Sequence, residues 1–172
     1  FDQRLATVLD AAAGALCKEL QGAKFAYVQS DEISVLLTDF EGDQTQAWFD
    51  GKLQKMVSVA ASVATAEFNK WWLYNAVGDI ANGIKNLGDV ADRFPKINEL
   101  LQGKMAHFDA RAFTIPDATE VENYFIWRQK DATRNSINMV AQSLYSHKEL
   151  HGKSCDEMQE MIFQKGTNWN DH

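Results

Sequence analysis

The sequence is poor in cysteine and proline, and each shortage excludes a class of protein. Its two cysteines, Cys17 and Cys155, do not form a CxxC pair. A zinc knuckle or a disulfide framework is therefore not expected, and so few cysteines predict a reducing, cytoplasmic location. Two prolines among 172 residues, with 45% hydrophobic and 24% charged residues, are typical of a folded globular domain and argue against disorder.

Long apolar runs and an excess of basic residues are also missing. No stretch approaches the roughly 20 apolar residues that cross a bilayer, and the residues after Phe1 lack a signal-peptide pattern, so no membrane partner is expected. The formal net charge is −7. This charge disfavours a broad basic surface for nucleic acid, because such surfaces gain affinity by neutralising phosphates, but it leaves room for a local basic patch.

The most informative local feature is a predicted β-hairpin with an acidic tip. The aromatic and β-branched runs Phe25–Val28 and Ile33–Thr38 flank the polar segment Gln29–Glu32. Its adjacent carboxylates, Asp31 and Glu32, are oxygen ligands of the kind that Mg²⁺ prefers, and paired Mg²⁺ ions serve phosphoryl chemistry. The alternative is a solvated turn, which the spacing alone favours because such residues are common in turns.

Apolar periodicity predicts four helices around this hairpin. They cover Leu5–Leu20, Thr45–Asn69, Thr119–Tyr145 and Ser154–Phe163. Gly22 is interpreted as the stop of the first helix, and Thr119 with Glu122 as a capping box that opens the third. Alternation in Phe108–Ile115 predicts a third strand. The weakly patterned residues 71–104 are interpreted as an insertion, within one domain that spans residues 1–172.

Two helix faces carry further candidate residues. Lys52, Lys55 and Ser58 recur at helical spacing after the hairpin, and cations near a metal site can bind a triphosphate. The alternative is a solubilising face. A second polar face, on the Thr119–Tyr145 helix, is also compatible with plain solvation. It comprises Arg128, Asp131, Asn135, Asn138 and Gln142.

These features coincide with a family pattern. Residues 27–34 resemble the YxQSDEIS hairpin of the tRNA-His guanylyltransferase superfamily, and residues 55–62 resemble its K-x-x-S-x-x-A-S helix. Residues 108–111 are similar to its FDGR/FDAR strand, residues 124–131 to its Y-x-x-W-R-Q-x-D helix, and residues 165–170 to a tail segment. The matches occur in family order over most of the chain, which is far more specific than any one of them.

The resemblance implies an α+β fold, with a palm-like antiparallel sheet and helices packed on one face, related to polymerase and nucleotide cyclase palms. It implies a nucleotidyltransferase that uses two Mg²⁺ ions and GTP, ATP or other NTPs. The implied reaction adds nucleotides to the 5′ end of a tRNA in the 3′-to-5′ direction. A homo-oligomer, a tetramer or a dimer, is also expected.

Residue roles follow from the same resemblance. Asp31 would bind both metal ions, and Glu32 would assist it as the second catalytic carboxylate. The residues assigned to nucleotide binding are Ser30, Lys52, Lys55 and Ser58, with Lys55 expected on the triphosphate. The residues assigned to site organisation or tRNA contact are Arg128, Asp131 and Asn135.

The sequence departs from the family pattern at two places. The family's first motif, an R-[VI]-D-G strand with the other shared metal ligand, is expected upstream of Phe1, and a chain that begins at Phe1 is expected to be inactive. Thr133–Ser136 replaces the eukaryotic H-I-N-N run, which puts recognition of tRNA-His in doubt and resembles the branch that repairs truncated tRNA 5′ ends. The alternatives are a cyclase-like NTP-using enzyme and an inactive binding module.

Overall fold

The computed structural model describes residues 3–82, 95, 98–99 and 101–171. This part of the chain is rich in helix and contains a small antiparallel sheet of two strands. It divides into two compact units, with the boundary between Phe113 and Thr114. Within the same residues, no helix combines the length and apolar character that a membrane span requires. The mixed helix and strand content agrees with the predicted α+β class, and the single-domain expectation stays a prediction.

The first helix, α1, spans Gln3–Glu19 and confirms the predicted one. Its buried residues recur every three or four positions and are Val8, Leu9, Ala12, Ala13 and Leu16. Gly22 lies beyond the helix end and has a φ of +84°. A Cβ at Gly22 would lie 2.3 Å from the carbonyl oxygen of Thr38. Gly22 therefore permits a close approach of two backbone segments, which its predicted role as a helix stop did not include.

Strands β1, Ala23–Gln29, and β2, Glu32–Leu37, form the predicted hairpin. β1 is longer than predicted at both ends, and β2 begins and ends one residue earlier than predicted. Their antiparallel register leaves Ser30 and Asp31 as the loop between the strands. Ser30 has a φ of 53°, the left-handed backbone that short hairpin loops favour. The acidic motif therefore lies at a tight turn.

The second helix, α2, spans Leu53–Asn82, so its predicted start at Thr45 is wrong. A 3-10 turn, Trp48–Gly51, precedes it. Within this turn Phe49, Asp50 and Gly51 have φ values of 54°, 54° and 69°. Left-handed residues cannot continue a right-handed helix, so α2 begins only after them.

The predicted end of α2 at Asn69 is also wrong, because the helix continues to Asn82. Trp72 stacks on Phe68, with ring centroids 6.1 Å apart, and Ala76 is buried one turn later. The apolar stripe therefore runs on into the segment predicted as an insertion. Residues 83–94, 96–97 and 100 of the predicted insertion lie outside the described residues.

The third strand predicted at Phe108–Ile115 is wrong, because those residues have no strand partner in the two-stranded sheet. Side chains of α2 take the place of a neighbouring strand. The Asn69 amide accepts from the Ala106 N–H and donates to the Ala106 carbonyl, both at 2.9 Å. Thr65 Oγ1 accepts from the Phe108 N–H at 3.0 Å. The extended segment thus satisfies part of its backbone along a helix.

Two apolar clusters hold this unit together. The buried residues of one are Val8, Leu9, Ala12 and Phe68, and those of the other are Leu16, Leu20, Trp48 and Ala64. Ile33 of the hairpin packs against both clusters. Each fully buried large apolar side chain contributes about 1.5–3 kcal/mol, so α1 and α2 hold the hairpin firmly on its apolar face.

The second unit consists of three helices and a terminal turn. They are α3, Ala118–Leu144, α4, His147–Leu150, α5, Cys155–Gln164, and a 3-10 turn, Trp169–Asp171. Asp117 caps α3, accepting from the Thr119 N–H at 2.7 Å, so the predicted cap at Thr119 is wrong by two residues. The last predicted helix is confirmed, with Ser154 as its N-cap.

A separate core closes this unit. Its buried residues are Ile137, Ala141, Leu150, Met158 and Ile162. Ile137 and Ala141 belong to the predicted apolar side of α3, and Leu144, assigned to the same side, is 36% exposed. The Tyr145 hydroxyl donates to the Met161 carbonyl at 2.5 Å and ties the end of α3 to α5.

Candidate functional site

The acidic hairpin tip presents two neighbouring carboxylates to solvent. Asp31 lies in the loop, Glu32 is the first residue of β2, and both side chains are exposed, as is Ser30 beside them. Within the described part of the chain, no group of three or more His, Cys, Asp or Glu residues could hold a metal ion. Mg²⁺ commonly takes one or two carboxylates and completes its shell with waters and phosphate oxygens. The chemistry of this pair fits such a shared site.

The lysines predicted to bind nucleotide lie where α2 begins. Lys52 directly precedes the helix, and its carbonyl accepts from the N–H groups of Lys55 and Met56, both at 3.0 Å. The first N–H groups of a helix carry partial positive charge and favour anions. Ser58 follows one turn later, and its hydroxyl donates to the Lys55 carbonyl at 3.1 Å. Two cations and a helix start are therefore combined at one place.

Both lysines contact the left-handed turn that precedes them. The Lys52 ammonium lies 3.6 Å from a carboxylate oxygen of Asp50. The Lys55 ammonium lies 4.3 Å from the centroid of the Phe49 ring, within the range of a cation–π contact. The sequence pattern did not identify Phe49 or Asp50 as site residues, because it included both in the helix. The Asp50-Gly51 dipeptide was the available signal, since Asp-Gly marks turns.

The candidate residues on α3 lie in the second unit. Asp131 accepts from the Asn135 amide at 3.1 Å and is ion-paired with Arg134, one helical turn away. Arg128 is only 8% exposed, and its guanidinium carbon lies 5.5 Å from the Trp127 ring centroid. The structure thus joins Asp131 to Asn135, whereas Arg128 does not belong to the solvated face that the spacing predicted.

The predicted site residues fall into three local groups. The hairpin tip and the start of α2 belong to the first unit, and the α3 residues belong to the second. The first unit therefore holds the carboxylates and the lysines that phosphate chemistry needs.

Comparison with known proteins identifies the family to which these site residues belong. A family model described as tRNAHis guanylyltransferase matches residues 1–116. The chain belongs to the tRNAHis guanylyltransferase family. The match includes the acidic hairpin and the start of α2, and it confirms the resemblance indicated by the sequence motifs.

Individual members of the tRNAHis guanylyltransferase family align over nearly the whole chain. The tRNA(His) guanylyltransferase of Neurospora crassa is 26% identical, over 98% of this chain and 53% of its own length. A bacterial tRNA(His) guanylyltransferase-like protein in complex with ATP is 40% identical, with a TM-score of 0.78 over 100% of this chain and 65% of that one. A bacterial tRNA(His) guanylyltransferase-like protein in complex with GTP is 38% identical, with a TM-score of 0.70 over 100% of this chain and 60% of that one. The chain thus spans about half of the curated relative's length.

Proposed function

We propose that this chain is the palm-like catalytic part of a metal-dependent nucleotidyltransferase that adds nucleotides to the 5′ end of tRNA, in the 3′-to-5′ direction. The observation that carries the proposal is the exposed pair Asp31 and Glu32, which lies on a hairpin inside the family match. An antiparallel hairpin packed against α1 and α2 supports the palm-like relationship.

The proposed roles follow from the chemistry of each group. Asp31 and Glu32 supply oxygen ligands for two Mg²⁺ ions. Bound Mg²⁺ would neutralise the charge of a triphosphate and acidify an attacking hydroxyl. Lys55 holds the triphosphate at the start of α2, with Lys52, Ser58 and Ser30 as further nucleotide contacts. The structures of bacterial relatives with ATP and with GTP support nucleotide binding of this kind.

We propose the repair of truncated tRNA 5′ ends as the biological reaction. Thr133–Ser136 stands where the eukaryotic pattern has H-I-N-N, which argues for a tRNA substrate wider than tRNA-His. Arg128, Asp131 and Asn135 would organise the site or contact the tRNA. A net charge of −7 restricts that contact to local cations. Self-association as a dimer or tetramer is part of the proposal, and exposed aromatic residues such as Tyr74, which is 70% exposed, are available for such an interface.

Primer extension on a 5′-truncated tRNA tests this function. With Mg²⁺, ATP and GTP, the full-length protein, with the R-[VI]-D-G strand that the family resemblance implies, should lengthen the 5′ end. Asp31→Asn and Glu32→Gln should each lower the extension rate by at least about 100-fold, because a metal site supplies several kcal/mol of transition-state stabilisation.

The matched control is Asp43→Asn, which removes another exposed carboxylate and should leave the rate unchanged. Metal-dependent conversion of NTP without any lengthening of tRNA would favour a cyclase-like enzyme. Absence of both reactions, with tRNA binding retained, would favour a binding module. Either result would overturn the proposed reaction.

A further inference from the structure

We propose that Phe49 is a positioning residue for nucleotide binding, because its aromatic face holds the Lys55 ammonium where the triphosphate is to be met. This inference rests on the proposed function. The Lys55 ammonium lies 4.3 Å from the Phe49 ring centroid. Phe49 is outside every motif that the sequence pattern identified, and its role would be to act through Lys55.

The Phe49 ring is fixed by the core of its unit. Its centroid lies 4.6 Å from that of Trp48, which is only 7% exposed. Phe49 also packs against the cluster formed by Leu16, Leu20 and Ala64. The left-handed backbone of Phe49, with a φ of 54°, directs the chain away from a continuous helix at this point. The ring is therefore a support that the fold already holds in place.

For a lysine that binds phosphate, an aromatic ring is a better partner than a carboxylate. A carboxylate partner competes with phosphate for the ammonium, as Asp50 does for Lys52 at 3.6 Å. A ring attracts the ammonium through its quadrupole without neutralising it. Lys55 is thus restricted in position without a counter-ion that competes with the triphosphate. The two lysines of the site therefore differ, because Lys52 has such a counter-ion in Asp50.

The test is the affinity for GTP in the presence of Mg²⁺, measured by titration calorimetry. Phe49→Leu removes the aromatic face, and we expect GTP to bind about two- to fivefold more weakly, the range of an exposed cation–π contact. Phe49→Tyr keeps the face and should bind GTP like the unaltered protein. Both substitutions retain a side chain at a positive φ, so the backbone conformation carries the same penalty.

Lys55→Met separates the inference from the function on which it rests. Lys55→Met should weaken GTP binding, and Phe49→Leu should have no further effect in that background. If Lys55→Met leaves GTP binding unchanged, the nucleotide role of Lys55 is wrong. If Lys55→Met weakens binding but Phe49→Leu does not, or does so equally in both backgrounds, only the positioning role is wrong.

Two further sets of variants serve as controls, one for the replacement itself and one for a folding defect. Phe40→Leu makes the same replacement at a side chain that is 80% exposed and should leave GTP affinity unchanged. If Phe49→Leu does not fold, fluorinated phenylalanines at position 49 replace it, because fluorine weakens the ring face with little change of shape. GTP affinity should fall with each added fluorine, and an affinity independent of fluorine number would overturn the inference.

Discussion

Left-handed residues determine where several segments of the first unit change direction. Gly22 allows the chain to enter the hairpin with its backbone against Thr38, whose N–H donates to the Gly22 carbonyl at 2.9 Å. Phe49 and Asp50 have φ values of 54° without the freedom of glycine. A non-glycine residue in this conformation costs of order 1–2 kcal/mol, which the surrounding packing must offset.

Gly22→Ala should destabilise the protein markedly. The new methyl group would lie 2.3 Å from the Thr38 carbonyl oxygen, at a φ of +84°. Strain and clash together should lower the free energy of unfolding by about 2 kcal/mol or more. Urea denaturation measures this loss.

Gly14→Ala is the matched control, since it adds the same methyl group in the middle of α1, where no atom beyond the adjoining residues and the helix's own backbone lies within 4 Å. It should raise the free energy of unfolding by up to about 1 kcal/mol, because alanine favours a helix over glycine. Equal effects of both substitutions would contradict the role assigned to Gly22.

Asp31, Glu32 and Lys55 could be identified as candidates from the sequence because they belong to short, ordered motifs. Phe49 could not, since a phenylalanine at helical spacing is ordinarily read as core. Its actual position depends on a left-handed backbone that phenylalanine rarely adopts, and no local pattern predicts that.

At the scale of elements, the hairpin was predictable and the third strand was not. Alternation in β1 and β2 is a local property, and a tight turn between them leaves one way to pair. Alternation in Phe108–Ile115 is equally clear, yet it does not specify a partner. Asn69 and Thr65 supply hydrogen bonds from a helix instead, and such bonds across 37 and 43 residues leave no mark in a local window.

The start of α5 should be sensitive to acid. The Ser154 N–H donates to the Glu157 carboxylate at 2.8 Å. This hydrogen bond, together with the nearby Lys153 ammonium, lowers the pKa of Glu157 to about 2. A pKa depressed on folding means that the ionised form stabilises the fold. This contribution is complete above the ordinary carboxyl pKa and is lost as the pH falls from about 4.5 towards 2.

Glu157→Gln tests this prediction without removing the cap. Glutamine can still accept from the Ser154 N–H, but it does not titrate. The protection factors of amides at the start of α5, which compare observed with intrinsic exchange rates, should therefore fall between pH 4.5 and 2 in the unaltered protein and change much less in the variant. An NMR titration that gives Glu157 an ordinary carboxyl pKa would contradict the prediction.

At the scale of the whole molecule, the sequence did not reveal the division into two units. The boundary after Phe113 falls inside the segment predicted as a strand, and it has none of the linker composition that separates domains. Each unit nevertheless has buried clusters of its own, around Leu9 in the first and around Ile162 in the second. The proposed carboxylates and lysines lie in the first unit, where the hairpin and the start of α2 pack against its clusters.

Because the two units have separate buried clusters, a cavity made in one cluster should reduce amide protection mainly in its own unit. Ile162 is 0% exposed and Leu9 is 1% exposed, so truncating either to alanine should cost about 2–5 kcal/mol. Ile162→Ala should reduce amide protection mainly in residues 114–171, and Leu9→Ala mainly in residues 3–82. Hydrogen exchange followed by mass spectrometry measures both regions in one experiment.

The same pair of variants should separate the two proposed parts of the function. Leu9→Ala loosens the packing beneath the hairpin and should weaken GTP binding, whereas Ile162→Ala should weaken tRNA extension more than GTP binding. If both variants reduce protection equally throughout the chain, the molecule unfolds as one cooperative body. A single free energy of unfolding would then apply to both units, and the stability of the nucleotide site could not be attributed to the first unit alone.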